Sequence, residues 1–344
     1  MRRFVLLLIA ILTLVPLWSN QLTDIRSVAM GSTSIGVVNS HLLFPTNPAS
    51  IFFQQEPLFR VGTRQSEKVL TKQREEDPIP WLQEPTTSIE VLFTNRYLGL
   101  SLALSNYLDQ RTIVGNEVEF TAFNESELQL SLAYGWQSIA FGLYAKGSTF
   151  NTRDVVVRQK TSFSDYINRT YFERYYARDE DNQTFNSAIG MLLSYNFISI
   201  GLLSDSLLKY DYDSGELNFD LEQTLQNFSV GLAFSTPSYN KDNELKRIVF
   251  NGGADFVKVR DIDDGSLHIG LETLFQFTNN FSVALRGGYH EKRGGKNSLF
   301  ALDGSGSGTV GLGIRFLNGA VDVAVTIPTD KQYISIATGL TWGF

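Results

Sequence analysis

The chain has 344 residues, a formal net charge of −7 and no cysteine. The missing cysteines exclude a disulfide scaffold, a Cys-ligated zinc or iron-sulfur site, a Cys nucleophile and a lipobox-type lipid anchor. With 29 Lys+Arg against 36 Asp+Glu there is no electrostatic footprint for nucleic acid. Beyond the N-terminus no run of about 20 apolar residues is present, so a bundle of membrane helices is excluded as well. What stands out is 28 Gly, 25 Phe and 14 Tyr in a chain of mean hydropathy −0.08. That combination suits many β-strands carrying small residues on one face and large apolar ones on the other.

Arg2 and Arg3 precede an apolar run from Phe4 to Val15, which Pro16 and the polar Ser19-Asn20-Gln21 end. Charged, apolar and cleavage regions in that order predict a secretory signal peptide over residues 1–19. An uncleaved anchor would need a longer apolar stretch. The exported remainder is then either a soluble protein or a transmembrane β-barrel.

From about residue 57 the sequence alternates with period two, the mark of strands with two unlike faces. Leu98, Leu100, Leu102 and Leu104 oppose Gly99, Ser101, Ala103 and Ser105. Leu128, Leu130, Leu132 and Tyr134 oppose Glu127, Gln129, Ser131 and Ala133, and the pattern recurs at 139–144, 228–235, 267–277, 281–290 and 309–316. A water-facing sheet surface is rich in Lys, Glu and Thr; here the second face is mostly Gly, Ala and Ser, which suits an interior that accommodates a plug or a ligand. The apolar face carries almost no charge, as lipid demands, since Lys or Arg at the bilayer midplane costs about 2–4 kcal/mol.

Short connections are predicted at Asn95-Arg96, Trp136-Gln137, Asn196, Asn279-Asn280 and Asn318-Gly319, with longer polar stretches between them. Ser235 to Lys246 must join the short-connection side for the order to hold. Strands then start near Pro57, Thr87, Tyr97, Glu125, Ser138, Thr184, Phe197, Thr224, Arg247, Leu267, Phe281, Gly308, Ala320 and Gln332. Fourteen is an even number, as bacterial single-chain barrels require. Residues 111–123 are assigned to strands that continue beyond the membrane, because counting them as one extra strand breaks the parity. The predicted fold is all-β, a 14-stranded antiparallel transmembrane β-barrel.

Gln332 to Phe344 alternates to its final residue, and Gly339, Trp342 and Phe344 match the spacing of the terminal signal read by the barrel assembly machinery, with Ala337 where a polar residue is usual. Residues 20–56 do not alternate. There Ala29-Met30-Gly31, the mostly small residues Ser32 to Gly36, and Asn47-Pro48-Ala49 resemble the N-terminal hatch of the FadL-like long-chain fatty acid transporter family, with its PorV-type and spirochaetal branches. That resemblance implies a hatch (20–56, with motif residues Met30, Gly31, Asn47, Pro48 and Ala49) inside the barrel (57–344). It also implies an outer-membrane location and passive uptake of hydrophobic or amphipathic small molecules such as long-chain fatty acids, with outer-membrane lipids and the assembly machinery as partners. Where the family often has acidic residues, this chain has Asn39-Ser40-His41 and the apolar Leu42-Leu43-Phe44. Leu42, Leu43 and Phe44 are candidates to line the ligand route or to pack the hatch. Inward Arg286 and Arg315 are candidates for a carboxylate head group, although pairing with Glu272, Asp255 or Asp322 is the default for lumen charges.

No cofactor or catalytic constellation is expected. His41, His268 and His290 lack metal-ligand spacing, Asp261, Asp263 and Asp264 before Gly265 lack the distal Glu of a calcium loop, and no Gly-x-Ser-x-Gly elbow accompanies a base. Two other functions use the same barrel. One is a PorV-type docking barrel for secreted or surface proteins, with Gln65 to Thr86 and Ser148 to Gln183 long enough for contacts; the other is a general diffusion porin.

Overall fold

A computed structural model describes residues 25–37, 46–54, 57–70, 86–114, 117–159, 172–205, 207–211, 216–219, 221–236, 247–259, 265–278, 280–292, 306–329 and 333–343. The expected signal peptide, the Leu42-Leu43-Phe44 run and Phe344 lie outside them. Sixteen strands follow in chain order: β1 (Leu58–Leu70), β2 (Thr86–Thr94), β3 (Leu98–Val114), β4 (Glu117–Trp136), β5 (Ile139–Gln159), β6 (Phe172–Tyr195), β7 (Ile198–Asp205), β8 (Leu208–Asp211), β9 (Glu216–Phe219), β10 (Phe228–Ser235), β11 (Arg247–Val257), β12 (Ser266–Thr278), β13 (Phe281–Lys292), β14 (Ser307–Phe316), β15 (Gly319–Pro328) and β16 (Tyr333–Gly343).

Fourteen of them close into one antiparallel barrel, in which β7 pairs with β10 and β16 returns to β1. Closure pairs every edge, which an isolated membrane sheet could not do. The strands β8 and β9 form a separate hairpin, and Leu221–Gln226 is a short helix. The sequence placed a polar connection over most of this region and began the next strand at Thr224. The strand begins at Phe228 instead, because alternation restarts only where Phe228, Val230 and Leu232 oppose Ser229, Gly231 and Ala233.

The turn side has two-residue loops at Gln137-Ser138, Asn196-Phe197 and Leu317-Asn318, whose first residues take left-handed φ values of 49, 53 and 52°. The last loop is one residue earlier than Asn318-Gly319; Gly319 opens β15, where a Cβ would press on the Trp342 ring. On the opposite, loop side the barrel is uneven. Strands β3 to β6 have 17, 20, 21 and 24 residues, against the 9–11 or so that span a bilayer. Residues 111–114 belong to β3 and 117–123 to β4, as expected, and the register runs on to pair Val114 with Glu117. Much of Ser148 to Gln183, read as a polar connection, is strand: β5 reaches Gln159 and β6 starts at Phe172, not Thr184.

The faces separate as the alternation requires. On β3 and β4, Leu100, Leu102, Leu104, Leu128, Leu130 and Leu132 are exposed, while Ser101, Ala103, Glu127, Gln129 and Ser131 are buried toward the lumen. Continuous apolar area of this kind around a whole barrel is far more than a water-soluble surface carries and matches a lipid-facing belt. Aromatic side chains border it on the turn side: Trp136, Tyr134 and Tyr195 are 78%, 75% and 74% exposed, and Tyr97 and Phe197 are exposed as well. Such amphipathic rings favour the membrane–water interface.

Candidate functional site

The lumen is where function has to be sought, and the chain's own N-terminal segment lies in it. A helical turn, Ile25–Ala29, is followed by a tight turn at Met30–Ser32, where Gly31 has φ +65°. A Cβ on Gly31 would run into the backbone of Ile269 and Tyr289, so both the conformation and the close approach require glycine. Its N–H donates to Thr309 Oγ1 (3.0 Å), whose hydroxyl donates to Ala29 O (3.1 Å). The neighbouring Met30 is 3% exposed, and its carbonyl accepts from Thr33 Oγ1.

The second part is a 3-10 helix, Pro48–Phe53, with Asn47 as its N-cap. Asn47 Oδ1 accepts from Ala49 N (3.1 Å), while Nδ2 lies within 3.1–3.2 Å of Ile35 O, Met191 O and Leu202 O. One amide thus caps a helix, ties both parts of the segment together and fixes them to β6 and β7. Pro48 occupies the first helical position, where a missing N–H costs nothing. Ala49, fully buried, packs with Ile51, Phe52, Ala133, Ala140 and Leu192.

The wall is carved to receive this segment. A Cβ at Gly339, Gly311, Gly288, Gly270, Gly231, Gly201, Gly190 or Gly142 would overlap, in turn, Ile25, Ala29, Gly31, Met30, Gly36, Ile35, Asn47 and Ala49. The inward glycines therefore form a track that crosses successive strands, and Ala324 and Ala337 continue it beside Ile25 and Ala29.

Charged contacts lock the segment on this track. Arg26 donates to Glu272 through Nε (3.0 Å) and Nη2 (2.7 Å). Arg286 donates to the same carboxylate (2.7 Å) and to Asp322 (2.5 Å), with its side chain 0% exposed. Asp255 Oδ2 accepts from the N–H groups of Ser34 (2.5 Å) and Ile35 (2.9 Å). Ser199 Oγ donates to Gly36 O (2.5 Å), and the His268 ring contacts Ser32 O and Ser266 Oγ.

Among the residues singled out from the sequence, Met30, Gly31, Asn47, Pro48 and Ala49 come together along this track. Arg286 does not face free space: it is bound to Glu272 and Asp322, the pairing that lumen charges favour. Asp255, the third acid considered for that pairing, holds backbone N–H groups instead. Arg315 is partly buried opposite Ser282 and Ala320, with no hydrogen bond or ion pair among the described residues. Gly339 makes room for Ile25, and Trp342 packs edge-on against Phe316 at 6.1 Å. Sequence reasoning missed Arg26, Thr309, Ser199 and Asn251; the available signal was an isolated Arg26 in a stretch of small and apolar residues.

No protein-family profile matches the chain and no curated protein sequence does. Solved structures match over nearly the whole length. The CymD monoaromatic hydrocarbon channel is 10% identical, with 93% of this chain and 97% of that one covered at a TM-score of 0.58. The Pseudomonas putida toluene transporter TodX is 11% identical, covering 96% and 99% at 0.55. A Pseudomonas aeruginosa FadL homologue is 9% identical, covering 95% and 98% at 0.51. The chain has the fold of the FadL-like channels. At such low identity the shared property is the fold alone.

Proposed function

We propose that the protein is an outer-membrane channel for passive uptake of hydrophobic or amphipathic small molecules. In this reading residues 1–19 are an export signal removed on secretion, 20–56 form the hatch and 57–344 the barrel; the turn side faces the periplasm. One observation carries it most: the lumen is occupied by a segment for which the wall is carved strand by strand, an arrangement suited to selective passage and ill suited to an open porin. The similarity in fold to structures described as toluene and monoaromatic hydrocarbon channels supports an apolar substrate class. No energy source is visible, so passage runs down a gradient. Arg315, rather than Arg286, which Glu272 and Asp322 hold, is the candidate to receive a carboxylate if long-chain fatty acids are carried, and Leu42, Leu43 and Phe44 are candidates to line the route. The test is uptake into liposomes containing the purified protein, with toluene and a long-chain fatty acid as separate solutes and ionic conductance recorded in parallel. Uptake with little conductance supports the channel; conductance alone favours a porin; neither removes the proposal.

A second reading rests on the long strands. β3 to β6 extend well past the length needed to cross a bilayer and carry a sheet outward on the loop side, which suits docking of a secreted or surface protein. Its test is co-purification of a stable protein partner that is lost when residues 105–127 and 148–186 are shortened.

A further inference from the structure

The connection between β7 and β10 touches the barrel from outside. Gly190 of β6 and Gly201 and Leu203 of β7 meet the N-terminal segment in the lumen, so by period two Ser187 and Ser204 face outward. On those outward rows Ile189 and Ile200 are 46% and 37% exposed, yet Ser187 and Ser204 are 1% and 7% exposed. The connection covers both. Ser204 Oγ donates to the carbonyl of Thr224 in the short helix Leu221–Gln226. Ser187 Oγ accepts from Leu208 N of β8 (2.7 Å), and Leu207 N donates to Ser187 O (3.1 Å).

Strand length shows what such a cover does there. β7 and β10 have eight residues each, fewer than the 9–11 or so that cross a bilayer, whereas β6 and β11 on either side have 24 and 11. Because β7 and β10 pair with each other, their shortfall makes one low sector in the belt on the loop side. The connection that starts at this point carries three large apolar side chains, Phe219, Leu221 and Leu225, all exposed. Leu221 and Leu225 are four residues apart and share one face of the helix. Thr224 beside them is buried, and Glu222 and Gln226, again four apart, are exposed on a polar face. Ser204, on which the helix rests, pairs with Ile189 and Phe228 of the outward rows, so the apolar patch is continuous with the belt. A helix with one apolar and one polar face satisfies both at the boundary between lipid head groups and acyl chains; in water the apolar face would stay unburied.

We propose that the hairpin and helix joining β7 to β10 form a lipid-binding patch: Phe219, Leu221 and Leu225 enter the acyl chains of the outer leaflet and complete the belt where these two strands fall short. The patch is independent of the solute that the barrel passes, so its failure leaves the channel reading standing. The chain has no cysteine, and one introduced thiol therefore carries a nitroxide label at a single position. Phe219→Cys, Leu221→Cys, Leu225→Cys and Glu222→Cys are labelled in the full-length protein and reconstituted into dioleoylphosphatidylcholine vesicles. Leu130→Cys, in the lipid-facing belt, is the reference; an oxygen-dominated signal from it shows that the barrel is inserted. Electron paramagnetic resonance power saturation then compares collisions with oxygen, which concentrates among acyl chains, and with a nickel chelate, which stays in water. Labels at 219, 221 and 225 are expected to collide more with oxygen than with the chelate, as at 130, and the label at 222 is expected to reverse that order. Chelate-dominated collisions at all three apolar positions would mean that the bilayer thins around the short strands, and would overturn the proposal. Shielding of these labels from both reagents would mean that a second copy or another protein surface covers them, and overturns it equally.

Discussion

Arg26 and Glu272 are separated by 246 positions in the chain and meet as a two-bond pair inside the barrel, with Arg286 on the same carboxylate. Removing one member of such a buried set leaves the other charges without compensation, at about 3–5 kcal/mol. Glu272→Gln removes the charge that Arg26 and Arg286 share while Arg286 keeps Asp322, so it is expected to loosen the N-terminal segment before it opens the hydrogen-bonded barrel. The measurement is single-protein conductance in planar bilayers: a steady rise over the unaltered protein is expected, and a flat trace would mean that other contacts hold the segment alone.

The glycine track makes a prediction that pairs two residues of the same type. At Gly288 a side chain meets the backbone of Met30 and Gly31; at Gly308, on the adjacent strand β14 next to the pairing partner of Gly288, nothing lies within 4 Å. Gly288→Val is therefore expected to lower stability by about 1–3 kcal/mol or more, as overpacking does. Gly308→Val should be neutral or stabilising by about 0.5–1 kcal/mol, since a strand prefers valine to glycine. Urea unfolding in lipid vesicles distinguishes them, and equal effects would contradict the tight seating of the segment.

Asn47 combines a helix cap with an amide nitrogen whose two N–H groups are shared among three carbonyl oxygens, two of them on the wall. Loss of a cap costs about 1 kcal/mol, and stranded buried carbonyls add about 1–3 kcal/mol. Asn47→Ala should thus cost about 2–4 kcal/mol and expose the N-terminal segment to limited proteolysis while residues after 57 stay resistant. Proteolysis followed by mass spectrometry checks the site of first cleavage.

The membrane boundary on β4 can be mapped by charge. Leu130 is lipid-facing in the apolar belt, and Ser126 lies four residues toward the loop side on the same outward row. Leu130→Arg is expected to cost about 2–4 kcal/mol and Ser126→Arg about 0–1 kcal/mol, the depth dependence of arginine in a bilayer. Vesicle-based unfolding measures both. Equal penalties would mean that the long part of β4 is not outside the membrane.

The barrel was legible because lipid and lumen impose opposite demands on alternate residues, so the two faces of β3, β4, β10, β12 and β14 can be told apart along one line of sequence. The outer reaches of β5 and β6 were not. Their register sets Arg153 opposite Asp179, Asp154 opposite Arg178 and Arg158 opposite Glu173, and such complementarity across strands is invisible when each stretch is read alone as polar. The site divided in the same way. Met30, Gly31 and Asn47-Pro48-Ala49 form short local motifs, but the groups that hold the segment, Glu272 on Arg26, Thr309 on Gly31, Asp255 on Ser34 and Ile35, and Ser199 on Gly36, come from more than 150 residues away and are selected by where the barrel brings them.

The seam of the barrel has a consequence for how the protein is put together. Ile25, at the start of the described segment, sits against Gly339, and Gly339 pairs with Arg64 on β1, the strand that seals the circle with β16. The first described residue and the last strand therefore meet at the junction that closes the circle, so a change at Ile25 and a change at the β1–β16 pairing disturb one and the same place.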